Sequence, residues 1–288
     1  MAAPLNARPS ASGFDFGSIS RNHHLTTSGS VRPPKATSTG TTLAACRYPG
    51  GVVIGGDTRA TEGPIVADPD CEKVHYLSPF IRCAGAGTAA DTEMVTAEIS
   101  SNLMLHELHT GRRPRVVTAL TMLKQKLFQY QGNIGAALLL GGVDDSGCHL
   151  FSVAPHGSTD KLPFCAMGSG SLAAIAVLES GFKQDLTKDE AIALVSNAIL
   201  GGIFNDLGSG SNVDISVITD QGTEYLRHHI MPNQRGPKEQ KYLFPKGVTA
   251  YTKEAVYDMV VQEDILAVGN TGNVVPPAGG GEGMDTGA

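Results

Sequence analysis

The order in which hydrophobic periods change along the chain does most to limit its fold. From Thr41 the sequence runs "TTLAACR" and "GVVIGGDTR" on either side of "YPGG", then "CEKVHYL" and "FIRCAGAG" on either side of "SPF". Short apolar runs split by turn residues read as hairpins, so four strands come first. The period then changes. A helix is expected from about Ala89 to His109, with Val95, Ile99 and Leu103 on one stripe and Gly111 as its stop. A second helix follows Pro114, its stripe being Val116, Leu120, Leu123, Leu127 and Tyr130. Strands return in "GAALLLGGV", "CHLFSVAP" and "LPFCAMGSG". Two helices come next, near 170–181 and 188–206; Thr187 and Glu190 form a capping box for the second. "VDISVITD" and "TEYLRHH" close the region as strands.

Strands and helices segregated into blocks predict α+β layering, with two antiparallel sheets face to face and helices outside. A doubly wound parallel sheet requires strict alternation, which is absent. Residues 1–40 are rich in Ser, Gly, Pro and Thr without a sustained period and read as a leader. A compact domain is expected over 41–229, an arm over 230–268 and a Gly-rich tail over 269–288.

Composition excludes several functions. A net charge of −6 offers no basic footprint for nucleic acid and no polybasic patch for a membrane surface. No apolar run is long enough to cross a bilayer, and the first residues lack the apolar stretch of a secretory signal. Five cysteines, odd in number and without a CxxC pair, read as reduced thiols rather than a disulfide framework. The nine histidines show no HExxH or paired metal spacing, and no GK[ST] follows a glycine cluster. Neither metal nor organic cofactor is expected.

The junction "TSTGTTLAA" lies where the leader meets the first strand. A glycine at position 40 admits backbone conformations closed to other residues, so Gly40–Thr41 is expected in a strained turn. Cleavage there gives Thr41 a free α-amine beside its own hydroxyl, and such an amine serves as the general base for a threonine nucleophile. The plain alternative is a linker threonine. Asp57 and Lys73 lie in apolar neighbourhoods, where charges are costly unless paired. They are either a structural ion pair or a Lys⁺ that keeps the amine neutral and basic. "GSGS" at 168–171 and "NDLGSGSN" at 205–212 border helices. Their hydroxyls and glycines serve either as caps and turns or, through Ser169, Asp206 and Ser209, to orient Thr41. "CAGAGTAAD" leaves backbone N–H groups between a strand and a helix, suited to an oxyanion.

Together "TGTTLAA…GGVVIGGDTRATEG…VADPDCEKVH…CAGAGTAADTEM", "MLKQKLFQYQGNIGAALLLGGVD", "HGSTDKLPFCAMGSGSLAA" and "GIFNDLGSGSNVDISVI" resemble the proteasome beta family over roughly residues 38–250. The resemblance implies an αββα N-terminal nucleophile hydrolase: a threonine endopeptidase cutting after basic residues in ubiquitin-dependent degradation. It further implies that Thr41 is released by self-cleavage after Gly40, with Asp57 and Lys73 as its catalytic pair. Ser169, Asp206 and Ser209 then support the amine, and Gly87 donates the oxyanion N–H. Cys71, His75, Gly85 and Glu93 fall on the first substrate pocket, Gly85 leaving it deep and Glu93 supplying negative charge. The implied partners are other alpha and beta subunits in a core of four rings, regulatory particles, assembly chaperones and unfolded polypeptides, in cytoplasm and nucleus. The alternatives are a structural ring subunit that keeps its leader and an amidohydrolase acting on small amides.

Overall fold

A computed structural model describes residues 39–234, with positions 21, 23–25, 27–29, 236 and 247 besides. The chain divides into two units, Met1–Arg235 and Gly236–Ala288. Among the described residues every strand and helix belongs to the first unit. The expected leader, arm and tail fall almost wholly outside the described residues.

The strands are β1 (Leu43–Tyr48), β2 (Gly51–Asp57), β3 (Ala60–Glu62), β4 (Ile65–Asp68), β5 (Val74–Ser78), β6 (Ile81–Gly87), β7 (Ala136–Asp144), β8 (Gly147–Val153), β9 (Thr159–Lys161), β10 (Phe164–Met167), β11 (Val213–Thr219) and β12 (Gly222–Ile230). The helices are α1 (Ala89–Thr110), α2 (Val116–Gln129), α3 (Ser171–Gly181) and α4 (Lys188–Asn205). One sheet has the order β10-β1-β2-β11-β12, the other β5-β6-β7-β8-β9, and β3-β4 is a separate hairpin. All these strand pairs are antiparallel.

The two-residue period of the strands builds the layers. In β1, Leu43 and Ala45 face the other sheet, while Ala44 and Cys46 face α3 and α4. In β7, Leu139 faces the first sheet, while Leu138 and Leu140 pack with Val95, Ile99 and Leu103 of α1 and Leu123 and Leu127 of α2. These two strands thus bury both faces, which accounts for near-continuous apolar runs such as "AALLLGG". The result is the expected α+β, four-layer αββα sandwich. A buried leucine such as Leu139 contributes about 2–5 kcal/mol relative to alanine at such a position.

Helix ends follow local chemistry. Gly111 adopts φ 65° and its N–H bonds Glu107 O, stopping α1. Thr187 and Glu190 make the reciprocal capping box of α4. Tyr130 departs from expectation: it is the C-cap of α2 and 45% exposed, because the helix ends before the stripe returns to the sheet. The β3–β4 hairpin is an addition to the expected order, with Ile65 and Val66 exposed.

Candidate active site

Antiparallel pairing brings strand ends distant in sequence to one end of the sandwich. Thr41 and Thr42 lead into β1, and Leu43 pairs with Gly56 beside Asp57 at the end of β2. Met167, at the end of β10, pairs with Leu43, so Ser169 in the following turn comes alongside Thr41. Val213 pairs with Asp57, so the α4–β11 turn carrying Asp206 and Ser209 arrives there too. From the other sheet come Lys73, just before β5, and Gly87, which ends β6.

Thr41, Asp57, Lys73 and Ser209 are all buried. The Lys73 ammonium donates to Asp57 Oδ1 at 2.8 Å, to Thr41 Oγ at 3.1 Å and to the Gly40 carbonyl at 3.0 Å. Asp57 also accepts from the N–H groups of Thr42 at 2.9 Å and Gly210 at 3.0 Å. A buried carboxylate is tolerated when its lone pairs are filled in this way. The pair is therefore in contact with Thr41 and not an isolated ion pair elsewhere in the core.

A second polar group approaches from the helices. The Thr41 N–H donates to Ser169 Oγ at 3.0 Å, and Ser169 and Ser209 each donate to Asp206 Oδ2 at 2.6 Å. Desolvation opposes ionisation of Asp206, but bonds from Ser169, Ser209 and the Gly208 N–H outweigh it and hold its pKa below the ordinary carboxylate value.

Gly40 is needed for a different reason from the one expected. It is not among the glycines with positive φ. Instead, a Cβ on Gly40 would lie 2.3 Å from Gly208 Cα, so close backbone approach is what excludes a side chain. The Gly40 carbonyl accepts from Thr41 Oγ at 2.7 Å. Gly87 does take a positive φ of 123°, and its carbonyl accepts from the N–H of Thr39 at 3.0 Å.

Beside Thr41 lies a cleft of about 430 Å³ whose lining includes Cys71, His75, Gly85, Glu93, Asp68, Asp70 and Glu72. The expected pocket residues are therefore brought together, and three further carboxylates join them. No spacing rule marks Asp68, Asp70 and Glu72, since only the folded chain brings the end of β4 and the segment after it to the cleft. A Cβ on Gly85 would meet the Thr92 side chain at 2.6 Å, so the absent side chain there makes room for α1. Burial lowers the His75 pKa against the pull of Glu93 and Glu72, which leaves its ring neutral at pH 7. Burial likewise pushes the Cys71 thiol up to about 11, although Lys73 pulls it down. All five cysteines are free thiols. Among the described residues no His/Cys/Asp/Glu group has metal-binding geometry, and no helix is long and apolar enough to cross a membrane.

The loop carrying Cys71 is anchored by a residue that the sequence did not mark. Arg227 of β12 donates to Asp214 Oδ2 at 2.5 Å and to Asp70 Oδ1 at 2.9 Å, joining that loop to β11. An arginine in an exposed-looking "YLRHH" run carries no distinguishing signal.

Thr41 is thus a buried threonine at the head of a strand in an αββα sandwich, with Lys73 and Asp57 on one side and Ser169, Asp206 and Ser209 on the other. The sequence model of the proteasome subunit family matches residues 37–218, and that of the C-terminal segment of proteasome beta subunits matches 232–265. The chain belongs to the proteasome beta-subunit family, the threonine proteases of the proteasome core, which assemble there with other subunits. It is 56% identical to proteasome subunit beta type-7 of Dictyostelium discoideum over 257 residues, covering 88% of this chain and 96% of that protein. It is 56% identical to proteasome subunit beta type-2 of Saccharomyces cerevisiae (88% and 97% covered) and 58% identical to beta type-7-B of Arabidopsis thaliana (83% and 87%).

Proposed function

We propose that this chain is a self-processing threonine endopeptidase that cuts after basic residues, with Thr41 as nucleophile. The observation that carries the reading is the contact of Lys73 Nζ with Thr41 Oγ, Asp57 and the Gly40 carbonyl at once. In self-cleavage Thr41 Oγ bonds to the Gly40 carbonyl carbon, the Gly40–Thr41 C–N bond breaks, and the hydroxyl proton ends on the released amine. Water then hydrolyses the ester, leaving a Gly40 carboxylate and a free Thr41.

The freed amine takes the proton of Thr41 Oγ as that oxygen attacks a substrate carbonyl, and returns it to the departing amine. The Lys73 charge disfavours a second cation and keeps the amine basic. The Gly87 N–H stabilises the tetrahedral oxyanion. Ser169, Asp206 and Ser209 orient the amine. The preference for Lys or Arg side chains is supported by Glu93 in the cleft, together with Asp68, Asp70 and Glu72.

We propose further that residues 1–40 are the propeptide, 41–229 the catalytic domain, 230–268 an arm over a neighbouring subunit and 269–288 a tail. Unfolded polypeptides are the substrates, regulatory particles and assembly chaperones are further partners, and cytoplasm and nucleus are the site of action. N-terminal sequencing of assembled material should begin at Thr41, and an Arg-ending fluorogenic peptide should be cleaved. Thr41→Ala should lose both processing and cleavage. An intact Gly40–Thr41 bond in active particles would overturn the reading, and normal assembly after deletion of 232–268 would count against the arm.

A further inference from the structure

Thr42 is fully buried at the head of β1 and touches both halves of the site. Its N–H donates to Asp57 Oδ1 at 2.9 Å, and its carbonyl accepts from the Asp57 N–H at 3.2 Å. Its hydroxyl lies 2.6 Å from Ser209 Oγ. The main chain of Thr42 is thus fixed to the Asp57–Lys73 side, and its side chain to the Asp206 side.

The direction of that last bond follows from the proton count. A hydroxyl has one proton to donate. Ser209 gives its proton to the Asp206 carboxylate at 2.6 Å, so Thr42 Oγ is the donor to Ser209. Ser169 also donates to Asp206 Oδ2, leaving a lone pair for the Thr41 N–H at 3.0 Å. The chain is Thr42 to Ser209 to Asp206 from one side, and Thr41 to Ser169 to Asp206 from the other. Donation into Ser209 polarises its hydroxyl and strengthens its bond to Asp206.

The surroundings are shaped to this side chain. A Cβ on Gly170, the N-cap of α3, would lie 1.9 Å from Thr42 Oγ, and one on Gly202 of α4 would lie 2.1 Å from it. Both helices therefore approach with glycine where the threonine sits. Ser209 is 1% exposed, so loss of its donor would not be made good by bulk water.

We infer that Thr42 is a positioning residue whose hydroxyl fixes the proton order of the Ser209–Asp206–Ser169 chain and so holds the Thr41 amine in place. The inference rests on the reading of Thr41 as nucleophile. Two substitutions in the assembled particle separate hydroxyl from packing. Thr42→Val keeps the shape and removes the donor; Thr42→Ser keeps the donor and removes the methyl. Hydrolysis of an Arg-ending peptide is measured, with processing at Gly40–Thr41 followed by mass. Thr42→Val should lower kcat about tenfold with KM within about twofold, the effect of losing one buried hydrogen bond. Thr42→Ser should retain at least about half of the kcat, since the donor is kept. A Thr42→Val kcat within twofold of the parent, or a Thr42→Ser kcat as low as that of Thr42→Val, overturns the inference. If Thr42→Val does not assemble, Thr42→Cys, which is shaped like Thr42→Ser but has only a weak thiol donor, takes its place and is read against the same limits. Absence of Thr41-dependent hydrolysis in the parent particle would instead refute the nucleophile reading itself.

Discussion

The Lys73 ammonium donates to the carbonyl oxygen of Gly40 at 3.0 Å while paired to Asp57 at 2.8 Å. One cation therefore contacts the acyl group that precedes Thr41, the Thr41 hydroxyl and a buried carboxylate. It reaches them from just before β5, at the edge of the second sheet.

Replacing Lys73 by Met should abolish processing and also destabilise the subunit. The side chain of Asp57 has 0% exposure, so the substitution leaves a buried charge. Breaking such a pair costs about 3–5 kcal/mol, the lower end applying because backbone N–H groups still serve Asp57. The midpoint of thermal unfolding reports it, and Asp57→Asn added to Lys73→Met should recover part of the loss. A Lys73→Met protein as stable as the parent would contradict the expectation.

Gly40→Ala should slow release of Thr41 by at least about tenfold, since a Cβ would stand 2.3 Å from Gly208 Cα and displace the Gly40 carbonyl. Intact-mass measurement over a time course of assembly checks this. Processing at the parental rate would show that the Gly208 turn yields without cost.

Glu93 is exposed and shares the cleft with Asp68, Asp70 and Glu72. Glu93→Gln should therefore raise KM for Arg-ending peptides only modestly, about fivefold, with kcat little changed, as for a solvent-screened ion pair. Steady-state kinetics on Arg- and Leu-ending peptides give the comparison, and equal change on both would separate Glu93 from specificity.

Acidification should weaken binding of basic peptides through His75. Its pKa lies below the ordinary histidine value because of burial, so the ring is neutral at pH 7 and gains a proton only as the solution turns acid. The new positive charge then faces the cleft beside Glu93 and opposes a Lys or Arg side chain. KM for an Arg-ending peptide should rise as pH falls below about 6.5, the ordinary histidine value, and His75→Gln should remove that limb. A pH–KM profile unchanged by the substitution would show that another group titrates.

Much of the fold was legible because periods are local. The switch between two-residue and helical spacing depends on neighbours a few positions apart, which is why the strand blocks, α1, α2 and the α4 capping box were found in place. Tyr130 departed because the end of a helix depends on what the next turn packs against. Thr41, Asp57 and Lys73 were singled out as charges or hydroxyls in apolar or junction settings, a signal that sequence carries. Thr42, Asp68 and Arg227 carried none: Thr42 and Arg227 become special only when Ser209 and Asp214 arrive as partners, and Asp68 only when the cleft forms.

By itself, the sequence determined the layered class of fold, the point near Thr41 where the strand pattern begins, and the charged and hydroxyl residue types that stand out from their apolar surroundings. The tertiary structure decided that β1, β2, β5, β6, β10 and β11 present their functional ends together. It also decided that Gly40 is required by contact with Gly208 rather than by its own dihedral angle. The physical reason is that periodicity is set by bonded neighbours. Convergence of residues 128 positions apart, as in the bond of Thr41 to Ser169, is set by sheet register and close packing, which no local window contains.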